Sequence, residues 1–210
     1  MNIHNKNVVS AGAKLPDASN VLIMIHGRGG SAEDILSLAG HLSVKGFALL
    51  APQAKNNSWY PYSFMAPVSQ NEPWLSSALS LIKEIVNDVI AEGILPENIY
   101  FTGFSQGACL TLEFVSRNAT KYGGVVAFTG GLIGDRIDEK NYKGDFKSTP
   151  VFIGSSNPDP HVPVKRVNET TQTLQGMNAV VTEKIYTNMG HTITQNEIDL
   201  ANESVFKNHA

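Results

Sequence analysis

"YFTGFSQGAC", Tyr100 to Cys109, sets a serine between two glycines, with one residue separating it from each. The residues before it, "NIYFTG", are a short apolar run with strand character. Those from Ser105 onward, "SQGACLTLEFVSRNA", read as a helix. A strand that turns sharply into a helix lifts the Ser105 hydroxyl clear of the backbone. Neighbouring strands and the helix crowd such a turn, so Gly103 and Gly107 have to be small. The turn also sets the Gln106 N–H at a helix N-terminus, where developing negative charge is stabilised. A structural turn with a capping serine would carry the same glycines, so the rest of the chain has to decide.

Outward from this point, short β-type runs alternate with longer helical ones. "VLIMIHG" (Val21 to Gly27) is a continuous apolar run stopped by glycine, as in a strand buried on both faces. "SAEDILSLAGHLSVKG" predicts a helix capped by Ser31, with Glu33 and Asp34 in its first turn and Gly46 at its end. "FALLAP" is a second buried strand. From Trp74 to Ile90, Leu75, Ala78, Leu79, Ile82, Ile85, Val86, Val89 and Ile90 recur at helical spacing, and Gly93 follows. "GVVAFTG", "TPVFIG" and "AVVTEKIYT" read as strands. Residues 164–174 and "TITQNEIDLANESVFKN" read as helices. Alternating β and α predicts an α/β fold with a mainly parallel sheet and helices on both faces, in one domain over residues 1–210. Ligands of such sheets bind beyond the carboxyl ends of the strands.

Composition narrows the function classes. A hydrophobic fraction of 42% and a charged fraction of 17% are those of an ordinary globular chain. A net charge of −3 leaves no basic footprint for nucleic acid. No apolar run reaches the roughly 18 residues of a membrane span, and "MNIHNKNVVSAG" lacks a secretory h-region, so the expected location is cytoplasmic. The single cysteine, Cys109, forms no intrachain disulfide, gives no metal-ligand spacing and falls in a predicted core helix, where burial would raise its pKa. His161 with Asp159 is the nearest thing to a metal pair, and nothing joins it. Neither a metal nor a cofactor is expected.

A serine hydroxyl needs a base, and the base an orienting group. Where the nucleophile sits on a strand–turn–helix elbow, the chain order is serine, acid, histidine. Of six histidines, His4, His26 and His41 precede the serine and His209 lies at the chain end. His191, in "NMGHTI", follows a strand and opens the last helix. Asp159, in "NPDPHVP", follows another strand. His161, two residues from Asp159, is too near in sequence to be its partner across two loops. The candidate triad is Ser105, Asp159 and His191, with the rate expected to fall below about pH 6 as His191 protonates. Singly, Asp159 reads as well as an Asx turn and His191 as a helix cap. An oxyanion needs a second N–H from an earlier strand's loop, and "HGRGGS" supplies the Arg28 N–H to stand beside that of Gln106. The same loop fits a dinucleotide fingerprint through Gly27, Gly29 and Ala32, but "LLAPQAKNN" carries no acidic residue for the ribose.

Taken together, "HGRGG", "GFSQGA", "GGLIG", "DPHVP" and "GHTI" resemble, in this order and from about Val21 to Phe206, the phospholipase/carboxylesterase family of α/β-hydrolases. The resemblance implies a minimal α/β-hydrolase without a large lid domain. It implies Ser105 as nucleophile, His191 as base and Asp159 as its orienter, with main-chain oxyanion donors at Arg28 and Gln106. Many members carry an aliphatic residue where this chain has Arg28, and an H-G pair where it has Ser155 and Ser156. Some are dimers, so a homodimer is compatible with it.

The loop "NNSWYPYSFMAP" carries enough aromatic surface to wall an apolar pocket, with Trp59 and Phe64 as candidate substrate contacts and Leu132 facing them from "TGGLIG". The Arg28 side chain is expected to meet solvent, Glu33 or Asp34, or else a substrate carboxylate. The expected activity is cleavage of carboxylic esters, of short or medium acyl chains or aryl esters, through an acyl-serine. The alternatives are a thioesterase or lysophospholipase using the same machinery, and a non-catalytic binding protein on this fold.

Overall fold

The computed structural model describes residues 3–207; His209 and the last predicted helical residue, Asn208, lie outside them. Seven strands form one sheet: β1 (Val8–Gly12), β2 (Val21–Ile25), β3 (Ala48–Pro52), β4 (Ile99–Phe104), β5 (Gly124–Phe128), β6 (Pro150–Asn157) and β7 (Val180–Thr187). Their order is β1-β3-β2-β4-β5-β6-β7. β1 runs antiparallel to β3, and every other pair is parallel. The helices are α1 (Ala32–Ser37), α2 (Val68–Asn71), α3 (Trp74–Ala91), α4 (Gln106–Arg117), α5 (Val164–Gly176) and α6 (Gln195–Ser204).

The two faces explain why the strands read as unbroken apolar runs. Val21, Ile23 and Ile25 pack with residues of α3, α4 and α5, while Leu22 and Met24 pack with residues of α1 and α6. All five side chains are fully buried, each contributing about 1.5–3 kcal/mol of burial free energy. The central β4 therefore ends at an edge flanked by loops from both sides. No lid domain stands over that edge among the described residues, and no helix is long and apolar enough to cross a membrane.

Four elements differ from the sequence reading. β1 was not anticipated: none of its residues is buried, and as the antiparallel edge it shows no apolar run. The helix expected over 31–46 stops at Ser37, whose hydroxyl donates back to Asp34 O; one 3-10 turn follows, and Gly46 turns at φ +84°. Leu42, Val44 and Phe47 thereby reach the core from a loop. On α3, Ile90 is 42% exposed and Leu81 takes the buried position instead. β6 runs three residues past its apolar stretch, to Asn157, so Ser155 and Ser156 are buried strand residues.

Candidate active site

Ser105 connects β4 to α4 with φ +55° and ψ −118°, a left-handed backbone that a residue with a Cβ rarely adopts. Such a residue costs about 1–3 kcal/mol and persists only where its surroundings hold it. Here the Ser105 N–H donates to Phe128 O at 3.0 Å, and the Cys109 N–H donates to Ser105 O at 3.0 Å. The flanking glycines follow from the same crowding. A Cβ on Gly103 would stand 2.5 Å from the Gly107 carbonyl, and one on Gly107 would stand 2.1 Å from Ile25 O.

Three loops meet over this turn. The Ser105 Oγ lies 2.8 Å from His191 Nε2, and His191 Nδ1 lies 2.9 Å from Asp159 Oδ2. The Asp159 side chain is wholly buried, that of His191 19% exposed. Burial pushes the Asp159 pKa up. The His161 N–H, the His191 ring and the Val162 N–H outweigh it and hold the carboxyl below its usual range. An ionised carboxylate only accepts, so His191 Nδ1 carries a proton and Nε2 is left to accept from Ser105. The ring is also flanked by Phe104, centroids 5.2 Å apart, and met edge-on by His161 at 4.9 Å. His191 lies in the loop ahead of α6 rather than at its start. The helix is capped by Thr194, whose hydroxyl accepts from the Glu197 N–H while the Glu197 carboxylate accepts from the Thr194 N–H.

Sequence reasoning missed Ser156. Its hydroxyl donates to Pro158 O at 3.1 Å and accepts from the Gly190 N–H at 3.1 Å. One buried side chain thus ties the Asp159 loop to the His191 loop, on the residues beside each. Ser156→Ala is expected to lower kcat on the order of tenfold, because small misplacements of reacting groups are expensive, with KM little changed. Steady-state kinetics on one ester checks this, and an unchanged kcat would contradict it.

Sequence reasoning also passed over His26. The Ala54 N–H donates to its Nε2 at 3.1 Å, so Nδ1 carries the proton and donates to Gly27 O at 2.7 Å. The Gly30 N–H donates to the same carbonyl at 3.1 Å. A trans peptide points its N–H opposite to its C=O, so fixing Gly27 O turns the Arg28 N–H to the other side. Burial lowers the His26 pKa, against the opposing pull of Gly27 O, Asp34 and Glu33, and favours this neutral tautomer. Gln106 is the first residue of α4, so its N–H lacks an intrahelical acceptor.

A cavity of about 880 Å³ lies over these groups. Tyr60, Phe64 and Val162 line it from one side of the sheet, and Ile35, Leu38, Ile193 and Ile198 from the other, with Ser105 between. Phe64 thus lines this cavity. Trp59 and Leu132 do not, and both expectations are corrected. The Trp59 ring is buried between His4 and His26, its Nε1–H donating to His26 O at 2.8 Å. Leu132 is fully buried, with its N–H on Thr170 Oγ1 and its carbonyl on the Arg166 guanidinium. Arg28 is exposed, and its guanidinium donates to the carbonyls of Tyr60, Pro61 and Tyr62 at 2.7–2.9 Å, meeting neither Glu33 nor Asp34. Cys109 lines the cavity from α4 as a buried thiol, pushed up to about 12 chiefly by burial. Both Asp159 oxygens are engaged, and no group of three metal-ligating side chains occurs among the described residues.

The family model for phospholipase/carboxylesterase matches residues 4–209. The chain belongs to the phospholipase/carboxylesterase family. The family and its relatives named as carboxylesterases support a serine hydrolase that cleaves carboxylic esters, on an α/β-hydrolase fold. A crystal structure titled phospholipase/carboxylesterase from Dyadobacter fermentans superposes with a TM-score of 0.96 at 55% identity, covering 98% of this chain and 99% of that one. Acyl-protein thioesterase 1 of Kluyveromyces lactis is 31% identical over 76% of this chain and 78% of its own length. A probable carboxylesterase of Arabidopsis thaliana, SOBER1-like, is 28% identical over 92% of this chain and 82% of its own.

Proposed function

We propose that Ser105 is the nucleophile of a carboxylesterase, with His191 as its base and Asp159 as the orienting acid. The observation that carries the proposal is the continuous hydrogen-bond run from Asp159 through His191 to the Ser105 hydroxyl. His191 Nε2 takes the Ser105 proton as Oγ bonds to the ester carbonyl carbon. The carbonyl oxygen becomes an oxyanion, which the Arg28 and Gln106 N–H groups receive; loss of one such donor costs about 2.7–4 kcal/mol. The His191 imidazolium then protonates the leaving oxygen and the alcohol departs. In the second half a water gives one proton to His191 and its oxygen to the acyl carbon; the bond from Ser105 Oγ to that carbon then breaks, Oγ takes the proton back from His191, and the carboxylic acid departs.

Because His191 has to reach the leaving oxygen, the alcohol limb lies on its side, against Phe104 and Ile193. The acyl limb then lies toward Tyr60 and Phe64. A cavity of about 880 Å³ without a lid domain suits short or medium acyl chains and aryl esters. A thioester is the second reading, favoured by the relative named acyl-protein thioesterase 1. Matched oxygen and thioester substrates separate the two. The proposal also takes residues 1–210 as one cytoplasmic domain, needing no cofactor, as a monomer or homodimer.

The pH profile tests the proton path. Asp159 has its folded pKa below the unfolded one, so its contribution to stability is present above the usual carboxylate range and is lost only as pH falls through the depressed value. Across the acid limb of activity it therefore stays ionised. kcat/KM is expected to fall about tenfold per pH unit there, with the slope of a single proton. A two-proton limb, or none down to about pH 4, would contradict the assignment.

A further inference from the structure

The two residues whose N–H groups are assigned to the oxyanion use their side chains on one and the same piece of chain. The Arg28 guanidinium donates from Nη2 to Tyr60 O at 2.8 Å and Tyr62 O at 2.7 Å, and from Nη1 to Pro61 O at 2.9 Å. The Gln106 side chain accepts from the Trp59 N–H at 2.9 Å and donates to Tyr60 O at 2.8 Å. The Ser58 hydroxyl donates to Tyr60 O as well, at 2.9 Å. Three donors therefore converge on one carbonyl. The Gly29 N–H adds a main-chain bond to Asn57 O at 2.7 Å. No carboxylate lies within 4 Å of the Arg28 guanidinium among the described residues, so its charge serves these carbonyls.

The stretch so held, residues 58–62, leads into Phe64, and its Tyr60 and Tyr62 form the aromatic side of the cavity together with Phe64. We infer that Arg28 and Gln106 are positioning residues that fix the acyl wall to the oxyanion hole, and that this clamp sets which acyl limbs are accepted. The inference rests on the assignment of Ser105 and its oxyanion donors made above. Its physical basis is the planar guanidinium, whose fork presents several N–H groups in fixed directions and so can span three successive carbonyls. An ammonium at the same place is a point donor and cannot span them. An aliphatic side chain would leave the Pro61 and Tyr62 carbonyls to solvent, with Tyr60 O held by Gln106 and Ser58 alone, and the wall freer to shift. Arg28 is an exposed residue, so its replacement leaves the core intact.

The test compares Arg28→Ala, Arg28→Lys and Gln106→Met with the wild type, each at a concentration set by fluorophosphonate titration of Ser105. One substrate series is p-nitrophenyl esters from acetate to dodecanoate, varying only the acyl limb. The other is acetates of alcohols of increasing size, varying only the leaving limb. In Arg28→Ala the ratio of kcat/KM for the longer acyl chains to that for acetate is expected to change by about tenfold, mainly through KM. The alcohol series should keep its wild-type pattern within about threefold. Arg28→Lys should fall between wild type and alanine, and Gln106→Met should move the acyl profile in the same direction as Arg28→Ala. A common factor across both series, or an acyl profile unchanged in Arg28→Ala, would overturn the inference. Failure of the wild type to be labelled at Ser105 would instead remove the mechanistic assignment on which it stands.

Discussion

His191→Ala is expected to lower kcat on ester substrates on the order of a million-fold, about as much as removing the serine itself. The expectation follows from geometry. The Ser105 hydroxyl has one base in contact, His191 Nε2 at 2.8 Å. His161, the nearest other imidazole, meets the His191 ring edge-on at a centroid distance of 4.9 Å and donates its main-chain N–H to Asp159 rather than contacting Ser105. It therefore cannot take over the proton. Removal of the His191 ring leaves Asp159 Oδ1 with its two main-chain donors, so the loop keeps its shape. KM should change little and the thermal midpoint should stay within a few degrees. Residual activity within about a hundredfold of wild type would show that another group accepts the proton.

Gly107→Ala is the second large effect, on stability and activity together. The added Cβ would lie 2.1 Å from Ile25 O and 2.5 Å from His26 O, both main-chain atoms of β2 and the oxyanion loop. Neither is the far end of a flexible side chain, so α4 has to move away from β2. Overpacking of this kind costs about 1–3 kcal/mol, and more against rigid backbone. At about 2–4 °C per kcal/mol for a chain of this size, the midpoint should drop by roughly 5–10 °C. The displacement would carry the Gln106 N–H with it, so kcat should fall by on the order of a hundredfold in the fraction that remains folded. Differential scanning calorimetry and steady-state kinetics check the two parts. A variant with wild-type stability and kcat would mean that the elbow is looser than its contacts indicate.

Much of this arrangement is legible in the amino-acid sequence. Strands buried on both faces, β2 and β4, have to be continuous apolar runs, and glycines packed against backbone have to be glycine. What stayed hidden were features whose signal is not hydrophobic. β1 buries nothing and is defined by its pairing with β3 alone. Ser156 and His26 act through main-chain partners, Gly190 N–H and Pro158 O for one, Gly27 O and Ala54 N–H for the other. No side-chain spacing announces such bonds. Trp59 misled because an aromatic residue in a loop reads the same whether it faces a ligand or supports the loop from behind. Here its N–H and its indole both face inward, to Gln106 and His26 O. For Arg28, sequence offers charged partners nearby, Glu33 and Asp34, while the guanidinium is satisfied by three carbonyls some thirty residues away.

The most direct measurement of the central claim is the intact mass of the protein after brief treatment with a fluorophosphonate, in the wild type and in Ser105→Ala. An activated Ser105 predicts one adduct on the wild type, located by peptide mapping to the segment containing Ser105, and none on the variant. A folded wild type that takes up no adduct, or a Ser105→Ala variant labelled as readily as wild type, would contradict Ser105 as the nucleophile.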